Sequence, residues 1–167
     1  MIRQFYLVIF IAATISVSCQ NQKPISATNE AKQTVSEAPK LETHLRTVAN
    51  NVTADSVQLS FTVINNADTA QQFCKWETPF EPRLGKYMEI IDQQGNEAQF
   101  TGAMARRVMP PPTESYIQVP PHDSVRIVFD LAKNYSLKSG QYTVRYIGGG
   151  ISGLQSGNEI KISIKGH

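Results

Sequence analysis

Strict alternation between apolar and polar residues constrains this chain more than any other feature. Val57, Leu59, Phe61 and Val63 are apolar, while Gln58, Ser60 and Thr62 between them are polar. Successive side chains on a strand point to opposite faces, so this run is a strand with one buried and one wet face. The same period returns at Val125, Ile127, Phe129 and Leu131, at Tyr142, Val144 and Tyr146, and at Ile160, Ile162 and Ile164. Less regular strands are expected over 43–49, 71–76, 87–92, 97–100 and 115–119. Turn residues separate them, at Asn65-Asn66, Gln94-Gly95-Asn96, Pro110-Pro111-Pro112, Pro120-Pro121 and Ser139-Gly140. No apolar stripe at helical spacing competes with this pattern. The prediction is an all-β, antiparallel fold over residues 41–167.

Two details select a sandwich of immunoglobulin-like type, with about seven to nine strands. Trp76 ends the third expected strand, where such folds bury a tryptophan. Ser139-Gly140-Gln141-Tyr142 opens a late strand as a tyrosine corner does, with Tyr142 as the corner residue. The inter-sheet disulfide of antibody domains is not expected, because Cys74 has no second cysteine within 41–167.

Residues 1–18 carry the three parts of an export signal: Arg3, an apolar centre from Phe5 to Ile15, and small residues at the end. The apolar centre is shorter than the ~20 residues a spanning helix needs. Ser18-Cys19 resembles the end of bacterial lipoprotein signals, although Ser16 stands where leucine is usual. The resemblance implies that Cys19 becomes an acylated N-terminus anchoring the protein in the cell envelope. Gln20 after the cysteine then favours the outer membrane in a Gram-negative host. A plain secretory cut, an uncleaved anchor and a Cys19–Cys74 disulfide are the competing readings. Lipidation would leave Cys74 as a buried, inert thiol. Residues 20–40 are polar and too poor in apolar side chains to offset ordering entropy, so they are expected to form a disordered tether. As flexible coil, the tether would reach roughly 25 Å.

A formal charge of +2, with no stripe of Lys and Arg, argues against nucleic acid as a partner. His44, His122 and His167 are scattered, and no His-Glu-x-x-His or Gly-x-Ser-x-Gly occurs. Gly148-Gly149-Gly150-Ile151-Ser152-Gly153 lacks the Lys-Ser/Thr ending of a phosphate loop and is expected to be a mobile hairpin tip. Glu77, Glu81, Glu89, Asp92 and Glu97 are the carboxylates available for an acid–base pair, which sequence alone does not bring together. Asn51-Val52-Thr53 and Asn134-Tyr135-Ser136 match the glycosylation pattern, which a bacterial-type signal makes irrelevant. No metal or cofactor is expected, and the chain is read as a non-enzyme.

The least generic segment is Phe73-Cys74-Lys75-Trp76-Glu77-Thr78-Pro79-Phe80-Glu81, followed by Phe100-Thr101-Gly102, Arg106-Arg107 and Tyr135-Ser136-Leu137-Lys138-Ser139-Gly140-Gln141-Tyr142. Together these resemble the N-terminal β-sandwich domain that precedes the catalytic part of peptidyl-Lys/deuterolysin-like zinc metalloendopeptidases. The resemblance implies a stand-alone accessory domain, because the family's zinc motif lies in a following domain and no catalytic residue carries over. Such domains act as pro-regions, folding aids or inhibitory modules. Trp76, Pro79, Phe80, Pro82, Arg106 and Arg107 are the candidate partner-binding patch, since Trp and Arg are enriched at binding hot spots. Met109-Pro110-Pro111-Pro112 can extend it as a stiff segment. The plainer reading has Trp76 and Phe80 filling the core. The expected partner is an envelope protein, an endopeptidase on the strength of the resemblance; the alternative is a structural envelope lipoprotein with no protease link.

Overall fold

The alternating runs pair as their patterns predict. The computed structural model describes residues 40–48 and 52–166. The expected signal over 1–18, Cys19 and the tether up to residue 39 lie outside the described residues. Among the described residues there are ten strands: β1 (Leu41–Thr47), β2 (Gln58–Asn65), β3 (Gln71–Cys74), β4 (Met88–Asp92), β5 (Gln99–Phe100), β6 (Tyr116–Val119), β7 (Ser124–Asp130), β8 (Tyr135–Ser136), β9 (Gly140–Tyr146) and β10 (Glu159–Ile164). One sheet has the order β1-β2-β7 and the other β10-β9-β4, while β3 pairs with β6 and β5 with β8. Every strand pair is antiparallel. The two larger sheets reproduce the A-B-E and G-F-C halves of an immunoglobulin-like sandwich. The count exceeds the expected seven to nine because β8 is a two-residue strand, too short to show a period.

β2 sits at the centre of the first sheet and supplies most of its buried face. Val57, Leu59, Phe61 and Val63 are fully buried. Phe61 lies between Leu45 of β1 and Ile127 of β7, so the apolar sets of three strands share one face. Ile90, Val144, Tyr146 and Ile162 of the opposite sheet are also buried. The rings of Phe61 and Tyr146 meet at 4.9 Å between centroids and join the two sheets. Each large apolar side chain so buried contributes about 1.5–3 kcal/mol. Leu131, expected to finish β7, instead opens a short 3-10 turn, capped by the Asp130 carboxylate, which accepts from the Ala132 N–H.

Polar groups close the strand edges that packing leaves open. The Asn158 side chain accepts from the Leu45 N–H at 2.8 Å and donates to the Leu45 carbonyl at 2.9 Å, standing in for a strand beside β1. Gly157 allows this approach, since a Cβ there would collide with the Thr43 carbonyl. Tyr135 does the same for β4: its hydroxyl accepts from the Met88 N–H at 3.2 Å and donates to the Met88 carbonyl at 3.0 Å. Burial pushes the Tyr135 phenol far above its ordinary pKa, and burial raises Tyr87 to about 12. Asn65, fully buried, donates to the carbonyls of Thr69, Val119 and Pro120 and accepts from the Ala67 N–H, fixing the turn that leaves β2. At the expected corner, the Tyr142 hydroxyl accepts from the Lys138 N–H at 3.1 Å.

Two expectations change, and the discounted glycosylation match at Asn134 is located. Trp76 lies two residues beyond β3, and β3 belongs to the small pair with β6 rather than to a main sheet. The 148–157 segment joins β9 to β10 but is packed, not a free hairpin tip. Leu154 is buried, the Gly149 N–H donates to the Leu154 carbonyl at 2.6 Å, and the Ser156 hydroxyl donates to the Tyr146 carbonyl at 2.7 Å. Asn134 is buried against the Tyr87 hydroxyl, which places this glycosylation match inside the fold.

Tyr135→Phe should cost about 1–3 kcal/mol, because it leaves the buried Met88 N–H and carbonyl without partners. Urea unfolding at neutral pH measures this; an unchanged midpoint would mean that the hydroxyl does not hold the β4 edge.

Candidate functional site

The candidate patch is built by two segments that sequence keeps apart. After β3 the chain turns through Lys75 to Glu81 around Thr78, which is fully buried. The Thr78 hydroxyl donates to the Lys75 carbonyl at 2.6 Å and accepts from the Phe80 N–H at 3.2 Å, and the Thr78 carbonyl accepts from the Glu81 N–H at 3.1 Å. Pro79 is buried within the turn. The turn aims Phe80 into the core, where its ring lies 5.3 Å from Phe73 and 6.2 Å from Phe61. Glu77 takes a left-handed φ of 57°, and its carbonyl accepts from the Tyr146 hydroxyl at 3.3 Å.

The second segment is brought in by a short parallel bridge between Leu84 and Ala103. The Gly85 N–H donates to the Ala103 carbonyl at 2.8 Å and the Ala103 N–H to the Arg83 carbonyl at 3.1 Å. The chain that follows carries Arg107 over Trp76, with the guanidinium carbon 4.6 Å from the ring centroid. The same guanidinium pairs with the Glu81 carboxylate. A cation over an indole contributes about 0.5–2 kcal/mol, rising as water is excluded. Trp76 is thereby only 6% exposed, at the base of a shallow cleft bordered by Glu77, Leu84, Met104, Arg107 and Ile151.

An exposed aromatic patch is therefore not what these residues form. Trp76 and Pro79 are buried, Phe80 packs on two core rings, and Arg107 is a half-buried lid over Trp76. Arg106 is exposed, and Pro82 borders a neighbouring cleft with Arg83 and Tyr87. The exposed apolar surface lies at Met104 and Val108, which sequence reasoning passed over, and at Met109, which it named as an extension of the patch, with exposures of 73%, 84% and 60%. These are three of the six large hydrophobic side chains exposed among the described residues, gathered within one irregular stretch. Their signal was the apolar flanks of Arg106-Arg107, which no period marks as surface.

The carboxylates do not converge. Glu81 pairs with Arg107, Glu89 with Arg145, and Glu97 with Lys86 at 2.7 Å. Asp92 accepts from the N–H groups of Asn96 and Gln94 in its own hairpin, and the Asn96 bonds hold its carboxyl below the usual range. His44 faces Glu42 at 3.0 Å and His122 faces Asp68 at 2.7 Å, each with its own carboxylate, while His167 lies outside the described residues. Among the described residues, no group of three or more His, Cys, Asp or Glu is placed to hold a metal ion. Cys74 is buried and free of a disulfide.

No protein-family model matches the chain. It is 30% identical over 115 residues to a protein of Arthroderma gypseum named neutral protease 2 homolog, a stretch covering 67% of this chain and 30% of that protein. The domain is protease-related. A probable neutral protease 2 homolog of Arthroderma otae is 31% identical over 94 residues, covering 55% of this chain and 26% of the relative. A probable neutral protease 2 homolog B of Trichophyton rubrum is 30% identical over 108 residues, covering 64% and 30%. The chain spans less than a third of the length of these curated relatives. The relationship agrees with the protease resemblance carried by the Trp76–Phe80 and Tyr135–Tyr142 motifs.

Trp76 is the single tryptophan of the chain, so its fluorescence reports the lid directly. Arg107→Ala should shift emission to the red and increase acrylamide quenching, and Glu81→Gln should do so to a smaller degree. Arg106→Ala should leave both unchanged. A native spectrum from Arg107→Ala would show that Arg107 does not cover the ring.

Proposed function

We propose that this chain is a lipid-anchored, non-catalytic envelope protein whose sandwich binds an endopeptidase and modulates or inhibits it. The observation that carries this is the relationship to neutral protease 2 homologs over a part of their length. What is shared is a domain-sized stretch of a larger protease, and the natural partner of such a domain is the remainder of such a protease. The exposed Met104, Val108 and Met109 beside Arg106 supply apolar contact area and a cation, the two ingredients of a binding hot region. The non-catalytic assignment is supported by four of the five candidate carboxylates, since Glu81, Glu89 and Glu97 are held in separate ion pairs and Asp92 in its own hairpin.

The alternative is a structural envelope lipoprotein, and the burial of Trp76 and Phe80 favours it. The two separate cleanly in solution. Mixed with a purified neutral protease 2, the full chain should form a complex on size exclusion and change the rate of peptide cleavage. Met104→Asp with Val108→Asp should weaken that complex by about tenfold or more. Unchanged cleavage and no complex would remove the protease link and leave the scaffold.

Anchoring is tested separately. Cys19→Ala should abolish incorporation of labelled palmitate and move the protein from the membrane to the soluble fraction. Equal labelling of the variant, or a wild-type protein that is already soluble, would contradict lipidation at Cys19.

A further inference from the structure

β7 is an edge strand with a bare flank. It pairs with β2 along its whole length. At its two ends the Leu131 N–H donates to the Val57 carbonyl and the Asp123 carbonyl accepts from the Asn65 N–H, both at 2.9 Å. Odd-numbered residues therefore turn their backbone groups toward β2. Backbone groups alternate sides along a strand, so those of Arg126 and Val128 face away from it. Among the described residues, nothing hydrogen-bonds to them there. In a seven-strand sandwich a D strand flanks this position. Here the preceding strand, β6, pairs with β3 instead and leaves the place vacant. The contrast with β1 and β4 is direct, since Asn158 and Tyr135 close those edges.

A cleft of about 200 Å³ opens along this flank, bordered by Pro82, Tyr87, Ile127, Phe129 and Lys133. Val128 beside it is 47% exposed. Arg83 and Lys133 border the cleft and Arg126 stands on the strand, and none of the three has an ion-pair partner among the described residues. The nearby Asp130 carboxylate is occupied, accepting from the N–H groups of Val57 and Ala132. The flank thus combines unpaired strand backbone, an apolar cleft and an excess of positive charge, with Arg83, Arg126 and Lys133 against the single carboxylate of Asp130.

We propose that β7 receives an extended acidic segment of a partner protein as an added strand. One apolar side chain would enter the cleft, with carboxylates at Arg83, Arg126 and Lys133. Added strands bind through main-chain hydrogen bonds and gain specificity from pockets for alternate side chains. Charge complementarity with Arg83, Arg126 and Lys133 selects an acidic segment, and the dependence of amide protection on protein concentration separates it from a second copy of this chain. The surface shares no residue with the Trp76 cleft and does not depend on the protease reading.

The test titrates the full chain against a fluorescent peptide of alternating valine and glutamate matched to the length of β7, with amide exchange followed in parallel. Binding should protect the Arg126 and Val128 amides and weaken with salt. A valine–lysine peptide should bind at least about tenfold more weakly. Val128→Pro removes an outward N–H while sparing the β2 ladder, and should weaken binding about tenfold or more. Arg83→Glu with Lys133→Glu should do the same without touching the strand. Failure of the valine–glutamate peptide to bind, equal binding of the lysine peptide, or protection elsewhere would overturn the proposal. So would protection of these amides that rises with protein concentration in the absence of peptide.

Discussion

Phe61 is where the two sheets and the candidate loop meet. Its ring contacts Tyr146 across the sandwich and Phe80 from the turn after Trp76. Tyr146 in turn donates to the Glu77 carbonyl and shares a 2.9 Å hydrogen bond with Ser152. Burial pushes the Tyr146 phenol up to about 12, so it stays neutral and able to donate. The placement of the Trp76 turn, and of the 148–157 segment beside it, thus follows from one packed aromatic centre. A shift in the register of β2 would turn its whole apolar face outward and take these contacts with it.

Beyond that centre, the molecule is shaped by how it treats its strand edges. Unpaired backbone groups invite association, and proteins blunt them with side chains or loops. Asn158 and Tyr135 do so at β1 and β4, each satisfying one residue's N–H and carbonyl together. β7 keeps its flank open next to exposed cations. The open edge beside these cations is the physical basis of the strand addition proposed for this flank.

Much of the fold was legible because a half-buried strand writes its burial into alternate residues. Val57 to Val63 and Ile160 to Ile164 needed no tertiary information. β8 escaped because two residues carry no period, and its role depends on Tyr135 reaching Met88 from far along the chain. The patch was half legible. Trp76 and Arg107 were named together from composition, but the bridge from Leu84 to Ala103 that stacks one on the other is a long-range backbone event. That stacking converts an expected hot spot into a covered core residue and transfers exposure to Met104, Val108 and Met109. The 148–157 glycines suggested mobility, whereas the interactions that pin them run through Ser152, Leu154 and Ser156.

The central claim is that the surface beside the Arg107 lid docks an endopeptidase. Amide hydrogen exchange of the full chain, with and without a purified neutral protease 2, tests it most directly. The account predicts slowed exchange in the Trp76 turn and over residues 103–109, with the core strands unchanged. Exchange unaltered throughout the sandwich, or slowed only at sites away from these two segments, would contradict it.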